Sequence, residues 1–542
     1  MQGQMMDFSL DTQAILRRGG QIFGNQEVVT RLADGSYHRY TLKQFERRVH
    51  RLINVLRDLG IQPGDRVGTL CWNHYRHLEL YFAISSMGAI LHTLNIRLSE
   101  EQLGYIINHA DDQVVFVDSS LTSVLEAVQN DCPGVRNYVV LDDQGEQPET
   151  SLPNPFDYET LLAGVSDQAT LPALDENSAA AMCYTSGTTG NPKGVVYSHR
   201  SIYLHTMAVM TTDGYGLSQR DVVLPFVPMF HANAWGLPYA ALFSGCRLVL
   251  PGAQPTAAIL AQIMIDEGVT TAAGVPAIWN MLYQHLKQEH LSLETVETLI
   301  VGGSAAPRAM IEKFDKEFDI TILHLWGMTE MSPLGTVGRM RSYMEDWSFD
   351  EQLDVRMKQG VPAAGIELRI QDDDGNLLPW DGKSIGELTV RGPWVASGYY
   401  NNPEASQAFT DDGWFRTGDM VTIDEEGYMQ IADRSKDLIK SGGEWISSVD
   451  MENCIMAREG VLEAAVVARA DEKWDERPVA FVVSADPANA PTADDIRQHL
   501  LETFAKWQVP GVEDVHFIDA VPKTSVGKFD KKVLRLQLEG SG

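Results

Sequence analysis

The sequence has few cysteines, and none of them is spaced for a redox or zinc site. The five cysteines are an odd number and include no C-x-x-C pair, so neither a disulfide framework nor a zinc site is predicted. Low-complexity tracts, repeats of solenoid length and a proline-rich linker are also missing, which argues against disorder and repeat arrays. We therefore expect a compact soluble protein of a reducing cytoplasm.

Basic residues are scarce as well. Lys and Arg number 43 against 74 Asp and Glu, which gives a net charge of −31. Such a surface repels a nucleic-acid backbone unless a local basic patch overrides the repulsion. The sequence has no such patch, so no nucleic-acid partner is predicted. Residues 1–11 lack the basic region followed by an apolar region that marks a secretory signal.

One long stretch without charge raises the question of a membrane span. Residues 222–246 contain no Asp, Glu, Lys or Arg and could cross a bilayer by their length. However, the stretch carries three prolines together with His231 and Asn233, a poor composition for a helix that faces lipid. We predict a buried wall of the protein and no transmembrane segment.

Apolar periodicity in the first part of the chain alternates between helix and strand. Residues 41–60 have apolar side chains at helical spacing, open with a Thr-x-x-Gln capping box and end at glycine. The apolar stretch 66–72, the helical pattern over 101–110 and the strand pattern over 113–118 continue the alternation. This order is typical of an α/β fold.

The pattern changes after about Gly360. Residues 366–370 and 386–392 look like strands joined by tight hairpins with an Asp-Gly turn, and residues 493–505 predict a helix in a last α/β unit. A chain of 542 residues is expected to form more than one domain. We predict an α/β fold with a large N-terminal domain, 1–432, built of α/β subdomains and a β-rich part, and a small C-terminal α+β domain, 433–542.

The segment 184–195, YTSGTTGNPKGV, crowds hydroxyl side chains and glycines around Lys193. It is not a Walker loop, because Lys193 is neither directly preceded by Gly nor directly followed by Ser or Thr. A glycine-rich hairpin between two strands would explain the glycines but not the cluster of hydroxyls. Phosphate binding is the alternative, since glycines let backbone amides approach a ligand. This segment alone leaves both interpretations open.

Further motifs follow in a fixed order, and together they carry a family resemblance. They are VGGSAAP (301–307), HLWGMTE (324–330), GWFRTGD (413–419), DRSKDLIKSGGEWIS (433–447) and PKTSVGK (522–528). With the segment 184–195, they closely resemble the adenylate-forming superfamily of acyl-CoA synthetases, adenylation domains and beetle luciferases, over essentially the whole chain. MFHANAWGLPY (229–239) and KSGGEWISSVDMEN (440–453) most resemble bacterial medium- and long-chain fatty acyl-CoA synthetases.

The resemblance implies a two-step ligase reaction with ATP, Mg²⁺ and CoA. A carboxylate attacks the α-phosphate of ATP to give an acyl-adenylate and pyrophosphate, and the CoA thiol then displaces AMP to form a thioester. No protein nucleophile is needed, so the protein supplies positioning and charge stabilisation.

The resemblance also assigns nucleotide-binding roles. Asp419 and Arg434 are expected at the ribose, Trp326 against the adenine, Thr329 at the α-phosphate, and Glu330 with Thr185 at Mg²⁺. The clamp over the β- and γ-phosphates would comprise Thr185, Ser186, Gly187, Thr188, Thr189, Gly190 and Lys193. The remaining nucleotide-side residues implied are Gly302, Gly303, Ser304, His324, Leu325, Gly327 and Met328.

The small domain is implied to be mobile. Lys528 is expected to enter the active site and neutralise charge during adenylation. A hinge at 433–437, centred on Lys436, would then let the domain rotate. Rotation would withdraw Lys528 from the active site. It would bring a second group of residues to the CoA pantetheine, namely Lys440, Gly442, Gly443 and Trp445.

Acyl-side residues complete the prediction. In the family the matching histidine, His231, lies beside the reacting carboxylate, and the matching tryptophan, Trp235, gates an acyl tunnel. The other residues implied on the acyl side are Gly327, Met328, Pro333 and Leu334. Acetate-specific relatives carry tryptophan at the position of Gly327, so the missing side chain predicts a pocket long enough for a fatty acid.

Several alternatives stay open from the sequence. A short thioether acid such as methylthiopropionate, or an arylalkanoate, could replace the fatty acid as substrate. An oxygen-dependent luciferase would share every motif, and a non-catalytic protein that binds a nucleotide or acyl-adenylate is the non-enzymatic alternative. A peptide-synthetase adenylation module or a phosphotransferase fits poorly, since neither a carrier domain after Lys528 nor a Walker or kinase motif set is present. A homodimer is expected only by analogy.

Overall fold

The computed structural model of the protein describes residues 1, 3–143, 149–185, 191–434, 437–441, 444–471, 474–486, 490–524 and 528–539. Within these residues the fold is mixed α/β, with a large N-terminal part and a small C-terminal part. The fold class predicted from the sequence is therefore confirmed.

Helices cover the sheets of both parts. Leu42–Asp58 shows why they form where they do: Thr41 accepts from the backbone N–H of Gln44 at 3.3 Å, and the Gln44 side chain accepts from the backbone N–H of Thr41 at 2.8 Å. This is the predicted capping box. The other α-helices are Thr12–Ile22, Tyr75–Ser86, Glu100–Ala110, Thr122–Glu126, Tyr158–Leu162, His199–Met210, Leu237–Ser244, Ala257–Glu267, Pro276–Glu289, Arg308–Phe318, Phe349–Arg356, Ser448–Ala457, Ala493–Leu501 and Lys531–Glu539.

The first sheet is parallel except at one edge. Its buried apolar strands are typical of a parallel sheet that is covered on both faces. In spatial order the strands are β7 Phe156–Asp157, β6 Asn137–Leu141, β5 Asp112–Asp118, β3 Arg66–Leu70, β4 Ile90–Thr93, β8 Ala179–Tyr184 and β9 Gly194–Ser198. The last two run antiparallel, so the segment 185–193 connects neighbouring strands, as the hairpin interpretation required.

The central sheet brings several motifs to one edge. Its order is β16 Val361–Pro362, β15 Leu334–Val337, β14 Thr321–Gly327, β13 Thr298–Val301, β12 Thr271–Gly274, β10 Val222–Pro225, β11 Arg247–Leu250, β1 Glu27–Arg31 and β2 Tyr37–Thr41. Strands β10, β12, β13 and β14 are parallel neighbours. Their carboxyl ends therefore meet at one edge, where ligands commonly bind in α/β folds.

A third sheet and a fourth follow in the C-terminal half. The third is antiparallel, with β17 Glu367–Gln371, β18 Gly386–Arg391, β19 Phe415–Ile423 and β20 Met429–Arg434. The fourth contains β22 Glu444–Ile446, β21 Ile439–Ser441, β24 Asp475–Ser484 and β23 Val461–Asp471, with β25 Val515–Phe517 beside β24. The predicted boundary between 432 and 433 falls just before the end of β20, and this boundary stays a prediction.

The prediction of a tight hairpin between β17 and β18 is wrong, because the two strands are joined by a longer segment. The Asp-Gly turn forms, because the backbone N–H of Gly375 donates to Asp372 at 3.0 Å. After it the chain runs back along β17, where Leu377 bridges Gln371 and the backbone N–H of Leu378 donates to Ile370 at 2.9 Å. The two strands pair as predicted, but through a longer connection.

The charge-free stretch 222–246 is buried, as predicted. It contributes β10, a short left-handed turn and the helix Leu237–Ser244, whose side chains lie in the main hydrophobic core. None of the helices within the described residues combines the length and the apolar character that a bilayer crossing requires.

Candidate active site

A cavity of about 710 Å³ opens at the edge where the strands of the central sheet end. Residues from both the large and the small part line it, and those from the small part include Asp437, Thr524, Lys528 and Phe529. The predicted site residues along its wall are Thr185, Lys193, His231, Trp235, Gly302, Gly303, Leu325, Trp326, Gly327, Met328, Thr329, Glu330, Pro333, Leu334, Arg434 and Lys528. The strand ends thus bring together motifs that are hundreds of residues apart in sequence.

Thr185 and Lys193, on either side of the hydroxyl-rich residues, line this cavity. The backbone N–H of Thr185 donates to the Lys193 carbonyl at 3.0 Å, and the backbone N–H of Lys193 donates to Thr185 Oγ1 at 3.1 Å. These bonds close the base of the loop after β8. Other predicted clamp residues lie outside the described residues, namely Ser186, Gly187, Thr188, Thr189 and Gly190.

Asp419 is the centre of a buried polar group on the side predicted to hold the ribose. One carboxylate oxygen accepts from Trp326 Nε1 at 3.0 Å, and the other lies 2.8 Å from Arg434 Nε. Strands β19 and β20 place Asp419 opposite Arg434 in register. Each carboxylate oxygen has a second lone pair, so Asp419 can also accept from the hydroxyls of a sugar.

Glu330 follows β14 in a short 3₁₀ turn, Thr329–Met331. Its backbone is fixed, because its carbonyl accepts from the N–H of Ala396 at 2.8 Å. Its Oε1 accepts from the hydroxyl of Tyr399 at 2.6 Å, while none of the described residues donates a hydrogen bond to Oε2. Burial and the neighbouring Glu330 raise the pKa of Tyr399 far above its usual value, so Tyr399 is the proton donor.

The donor set on this side fits Mg²⁺. Glu330 offers a carboxylate oxygen and Thr185 a hydroxyl oxygen, and both line the cavity. Mg²⁺ prefers hard oxygen ligands and usually takes only one or two from protein, leaving the rest to phosphate and water.

Lys528 reaches the same cavity from the small part of the protein. Its side chain passes Gly303, where an added Cβ would lie 3.9 Å from the Lys528 Cε. Burial lowers the pKa of Lys528 to about 8, with a further lowering by Arg434 and an opposing effect of Asp419 and Glu330. The lysine is therefore within electrostatic range of Arg434, Asp419 and Glu330.

His231 also lines the cavity and precedes an unusual backbone segment. Burial lowers the pKa of His231 to about 3, and the charge of Lys528 lowers it further, so the imidazole is neutral at physiological pH. The next four residues, Ala232–Trp235, all have positive φ between 43° and 57°. Such left-handed backbone costs about 1–2 kcal/mol for each residue that is not glycine.

Tertiary contacts hold this left-handed turn. The thiol of Cys183 donates to Asn233 Oδ1 at 3.2 Å, and the hydroxyl of Tyr215 donates to the Trp235 carbonyl at 3.2 Å. The turn directs the Trp235 ring onto Gly302, where an added Cβ would lie 3.1 Å from the indole. Strain held by surrounding structure is common at functional sites, and here the strained turn places the Trp235 ring on the cavity wall.

The interpretation of Gly327 as an opening for the acyl chain is wrong. Gly327 lines the cavity, but a Cβ there would lie 2.0 Å from the Pro333 carbonyl oxygen and 3.4 Å from the Leu334 Cα. The space of the missing side chain is filled by backbone, because β14 and β15 pair irregularly at Gly327. A tryptophan at this position would displace the backbone instead of acting as a plug.

We predict that Gly327→Ala destabilises the protein by about 1–3 kcal/mol, because the methyl group overlaps a backbone carbonyl. Thermal unfolding should show a lower Tm, and activity should fall by a similar factor on short and long acids. Gly104→Ala is the matched control, since the nearest atom, Val128 Cβ, lies 4.0 Å from the added carbon. An unchanged Tm with a preference shifted to short acids would contradict this account.

Of the predicted residues that the structure describes, five do not line the cavity, namely Ser304, His324, Asp419, Lys440 and Trp445. The ring of His324 is buried behind the wall, with Nε2 accepting from the N–H of Ala306 at 3.2 Å and Nδ1 lying 3.0 Å from the Met357 carbonyl. It supports the wall and does not reach a ligand, which corrects that prediction. Ser304 is exposed, and Lys440 stacks on Trp445 with Nζ 5.2 Å from the ring centroid.

The roles of Lys440 and Trp445 in the CoA path stay predictions, as does that of Ser304. Lys436, Gly442 and Gly443 lie outside the described residues.

Other residues on the cavity wall were not predicted from the sequence. Tyr399 is the most important, and the string SGYY offered only adjacent aromatic residues as a signal. Several of the others lie within the motifs given above, such as Thr417 and Gly418 in GWFRTGD, where only Asp419 was predicted to bind the nucleotide. The unpredicted lining residues are Asn191, Tyr215, Ala232, Glu387, Tyr399, Gln407, Ala408, Phe415, Arg416, Thr417, Gly418, Asp437, Thr524 and Phe529.

Comparison with known proteins gives two family matches. The model described as AMP-binding enzyme matches residues 17–400, and the one described as AMP-binding enzyme C-terminal domain matches residues 450–528. The solved structure of the anthranilate CoA ligase AuaEII in complex with anthranoyl-AMP has a similar fold, with a TM-score of 0.87, 24% identity and 99% coverage of both chains.

Three curated relatives are similar over nearly their whole length. A long-chain-fatty-acid–CoA ligase of Thermus thermophilus is 47% identical over 98% of this chain and 96% of its own. A medium-chain-fatty-acid–CoA ligase of Ectopseudomonas oleovorans is 41% identical over 99% of this chain and 97% of its own. A 3-methylmercaptopropionyl-CoA ligase of Ruegeria lacuscaerulensis is 43% identical over 99% of this chain and 98% of its own.

Proposed function

Since this chain belongs to the AMP-binding enzyme family, we propose that it is an AMP-forming acyl-CoA synthetase for a medium- or long-chain fatty acid. One observation carries the proposal. Lys528, Glu330 and Arg434, which pairs with Asp419, line a single cavity together with the Trp235 ring. A cavity whose wall combines charged groups with apolar side chains suits a nucleotide beside an acyl chain.

The first step joins the acid to AMP. A carboxylate oxygen of the acid attacks the α-phosphorus of ATP, the bond to the bridging oxygen breaks, and pyrophosphate leaves. Asp419 and Arg434 would bind the ribose, while Lys193 would hold the β- and γ-phosphates. Lys528 would stabilise the charge that grows on the phosphate oxygens in the transition state. Such electrostatic stabilisation by preorganised groups is usually the largest single contribution to the rate enhancement of an enzyme.

Mg²⁺, held by Glu330 and Thr185, would supply charge neutralisation on the phosphates. The neutral His231 would lie beside the acid, where it adds no charge that could hold the carboxylate away from phosphorus.

The second step transfers the acyl group to CoA. The CoA thiol loses its proton and attacks the acyl carbonyl carbon, and AMP leaves with the oxygen that came from the acid. Lys440, Gly442, Gly443 and Trp445 would line the pantetheine path after the small domain rotates about Lys436. Lys440 and Trp445 lie away from the cavity in the present arrangement, which supports assigning the two half-reactions to two domain positions.

The choice of acid rests on relatives and on the apolar wall of the cavity. Relatives with 47% and 41% identity act on long- and medium-chain fatty acids. The second candidate is a short thioether acid, favoured by the 43% identity to a 3-methylmercaptopropionyl-CoA ligase. Both acids are apolar beyond the carboxylate, so the wall formed by Trp235, Met328 and Leu334 suits either.

Pyrophosphate release across a panel of acids, with ATP, Mg²⁺ and CoA, tests the proposal. We expect octanoate and longer acids to exceed acetate by orders of magnitude, because each CH₂ removed from water contributes up to about 0.8 kcal/mol. A maximum at 3-methylmercaptopropionate would select the second candidate. Release of inorganic phosphate from ATP that does not depend on a carboxylic acid would contradict the proposed ligase activity.

We further propose a cytoplasmic location and a homodimer, the latter by analogy with similar synthetases. Sedimentation of the purified protein measures the second of these directly. A single species of monomer mass at micromolar concentration would contradict the dimer.

The low pKa of Lys528 predicts a pH dependence. Lys528 must be charged to act, and its pKa of about 8 means that the charged fraction falls as pH rises above 8. The kcat/KM for ATP in adenylation should therefore decline on the alkaline side with an apparent pKa near 8. In Lys528→Arg the guanidinium stays charged, so whatever activity this variant retains should lack that decline. The same alkaline decline in both proteins would assign it to another group.

A further inference from the structure

Tyr399 lies between the two charged side chains on the phosphate side of the cavity. Its hydroxyl donates to Glu330 Oε1 at 2.6 Å, and the Lys193 Nζ lies 5.0 Å from the centroid of its ring. A single side chain therefore contacts the carboxylate suited to the metal and the lysine suited to the phosphates. None of the sequence motifs assigned it a role.

The Tyr399 ring is itself held in place. Its backbone N–H donates to Ser406 Oγ at 2.9 Å, and its ring meets Phe409 edge-on with centroids 5.3 Å apart. Phe409 in turn stacks on Phe415 of β19 at 4.7 Å. Because these contacts fix the ring from behind, its hydroxyl and its open face have defined positions.

We propose that Tyr399 is a positioning residue for the metal and phosphates: its hydroxyl orients the Glu330 carboxylate, and its ring face holds the Lys193 ammonium. The inference rests on the proposed function, because it requires that the cavity bind a metal–nucleotide complex. The hydroxyl holds one carboxylate oxygen and so sets the direction of the other. Partners of this kind, one shell beyond the metal, commonly change metal affinity by about 10–100-fold.

Manganese binding measures the role of the hydroxyl without turnover. The apparent Kd of Mn²⁺ is measured by electron paramagnetic resonance in the presence of saturating α,β-methylene-ATP, which cannot be cleaved at the reacting bond. Tyr399→Phe keeps the ring and removes only the hydroxyl, so we expect Mn²⁺ to bind about tenfold or more weakly. An affinity equal to or higher than that of wild type would overturn the inference.

Tyr400→Phe is the matched control. The adjacent tyrosine points its ring edge-on to His109, with centroids 5.5 Å apart, away from Glu330, so its variant should bind Mn²⁺ as wild type does. An equal loss in both variants would overturn the specific role of Tyr399. Failure of the wild-type protein to bind Mn²⁺ with the nucleotide would instead overturn the proposed function, and this inference with it.

Two further variants test the route of the effect. In a Glu330→Gln background, Tyr399→Phe should add no further loss of Mn²⁺ affinity, because the two groups act as one unit; additive losses would overturn the coupling. Without metal, Tyr399→Ala should bind α,β-methylene-ATP several-fold more weakly than Tyr399→Phe, because only alanine removes the ring beneath Lys193. Equal nucleotide affinity in these two variants would overturn the role of the ring.

Discussion

Replacing Lys528 by alanine should slow acyl-adenylate formation by about a hundredfold or more, while transfer of a supplied acyl-adenylate to CoA stays nearly intact. Removing one preorganised contact to developing charge typically costs about 2.7–4 kcal/mol. Lys528 belongs to the small domain and lines the cavity together with Glu330 and Arg434. Its absence leaves the ribose and acyl contacts in place, so the loss should appear in the rate of adenylation.

Two assays separate the half-reactions. Acyl-adenylate formation is followed in a single turnover without CoA, and thioester formation is followed from synthetic acyl-adenylate with CoA. Lys523→Ala is the matched control, because Lys523 lies in the same PKTSVGK segment but its Nζ is 2.7 Å from Glu463, outside the cavity. Equal loss in both half-reactions of Lys528→Ala would remove Lys528 from its assigned role.

Glu330→Gln should reduce adenylation by roughly a hundredfold and raise the Mg²⁺ concentration needed for half-maximal rate. A metal that neutralises phosphate charge contributes several kcal/mol to the transition state, and an amide replaces the carboxylate with a neutral ligand. Glutamine has the same shape, and its Oε1 can still accept from Tyr399, so the fold should be maintained. The effect should therefore be on metal-dependent chemistry and not on stability.

The measurement is the single-turnover adenylation rate as a function of Mg²⁺, together with thermal unfolding. Glu367→Gln is the control, since Glu367 is an exposed residue of β17 that pairs with Arg391 at 2.6 Å. The account predicts wild-type Mg²⁺ dependence for this control. An unchanged Mg²⁺ requirement in Glu330→Gln would show that Glu330 is not a metal ligand.

Elements with local signals were predictable from the sequence. The helix Leu42–Asp58 was found because its capping box and apolar spacing both lie within one short segment. The buried stretch 222–246 was found because its prolines and polar residues exclude a lipid-facing helix. Residues such as Glu330, Asp419 and Lys528 were placed in one site only through the family resemblance, since no local pattern joins positions so far apart.

The rest depended on tertiary structure. The left-handed turn Ala232–Trp235 contradicts the backbone preference of its residues, and contacts from Cys183 and Tyr215 hold it. The environment of Gly327 was misjudged because the direction of an absent Cβ cannot be known before β14 and β15 are paired. Tyr399 was missed because its importance lies in the two charged groups beside it, which come from other segments.

The most direct test of the central claim follows oxygen from the acid into the product. The enzyme is incubated with octanoate labelled with ¹⁸O in both carboxyl oxygens, ATP, Mg²⁺ and CoA, and the nucleotide product is analysed by mass spectrometry. The account predicts AMP that carries one ¹⁸O atom, octanoyl-CoA that keeps one ¹⁸O atom in its carbonyl group, and unlabelled pyrophosphate, because the acid oxygen that attacked phosphorus leaves with AMP. Unlabelled AMP, or ADP with labelled inorganic phosphate, would contradict a reaction through an acyl-adenylate.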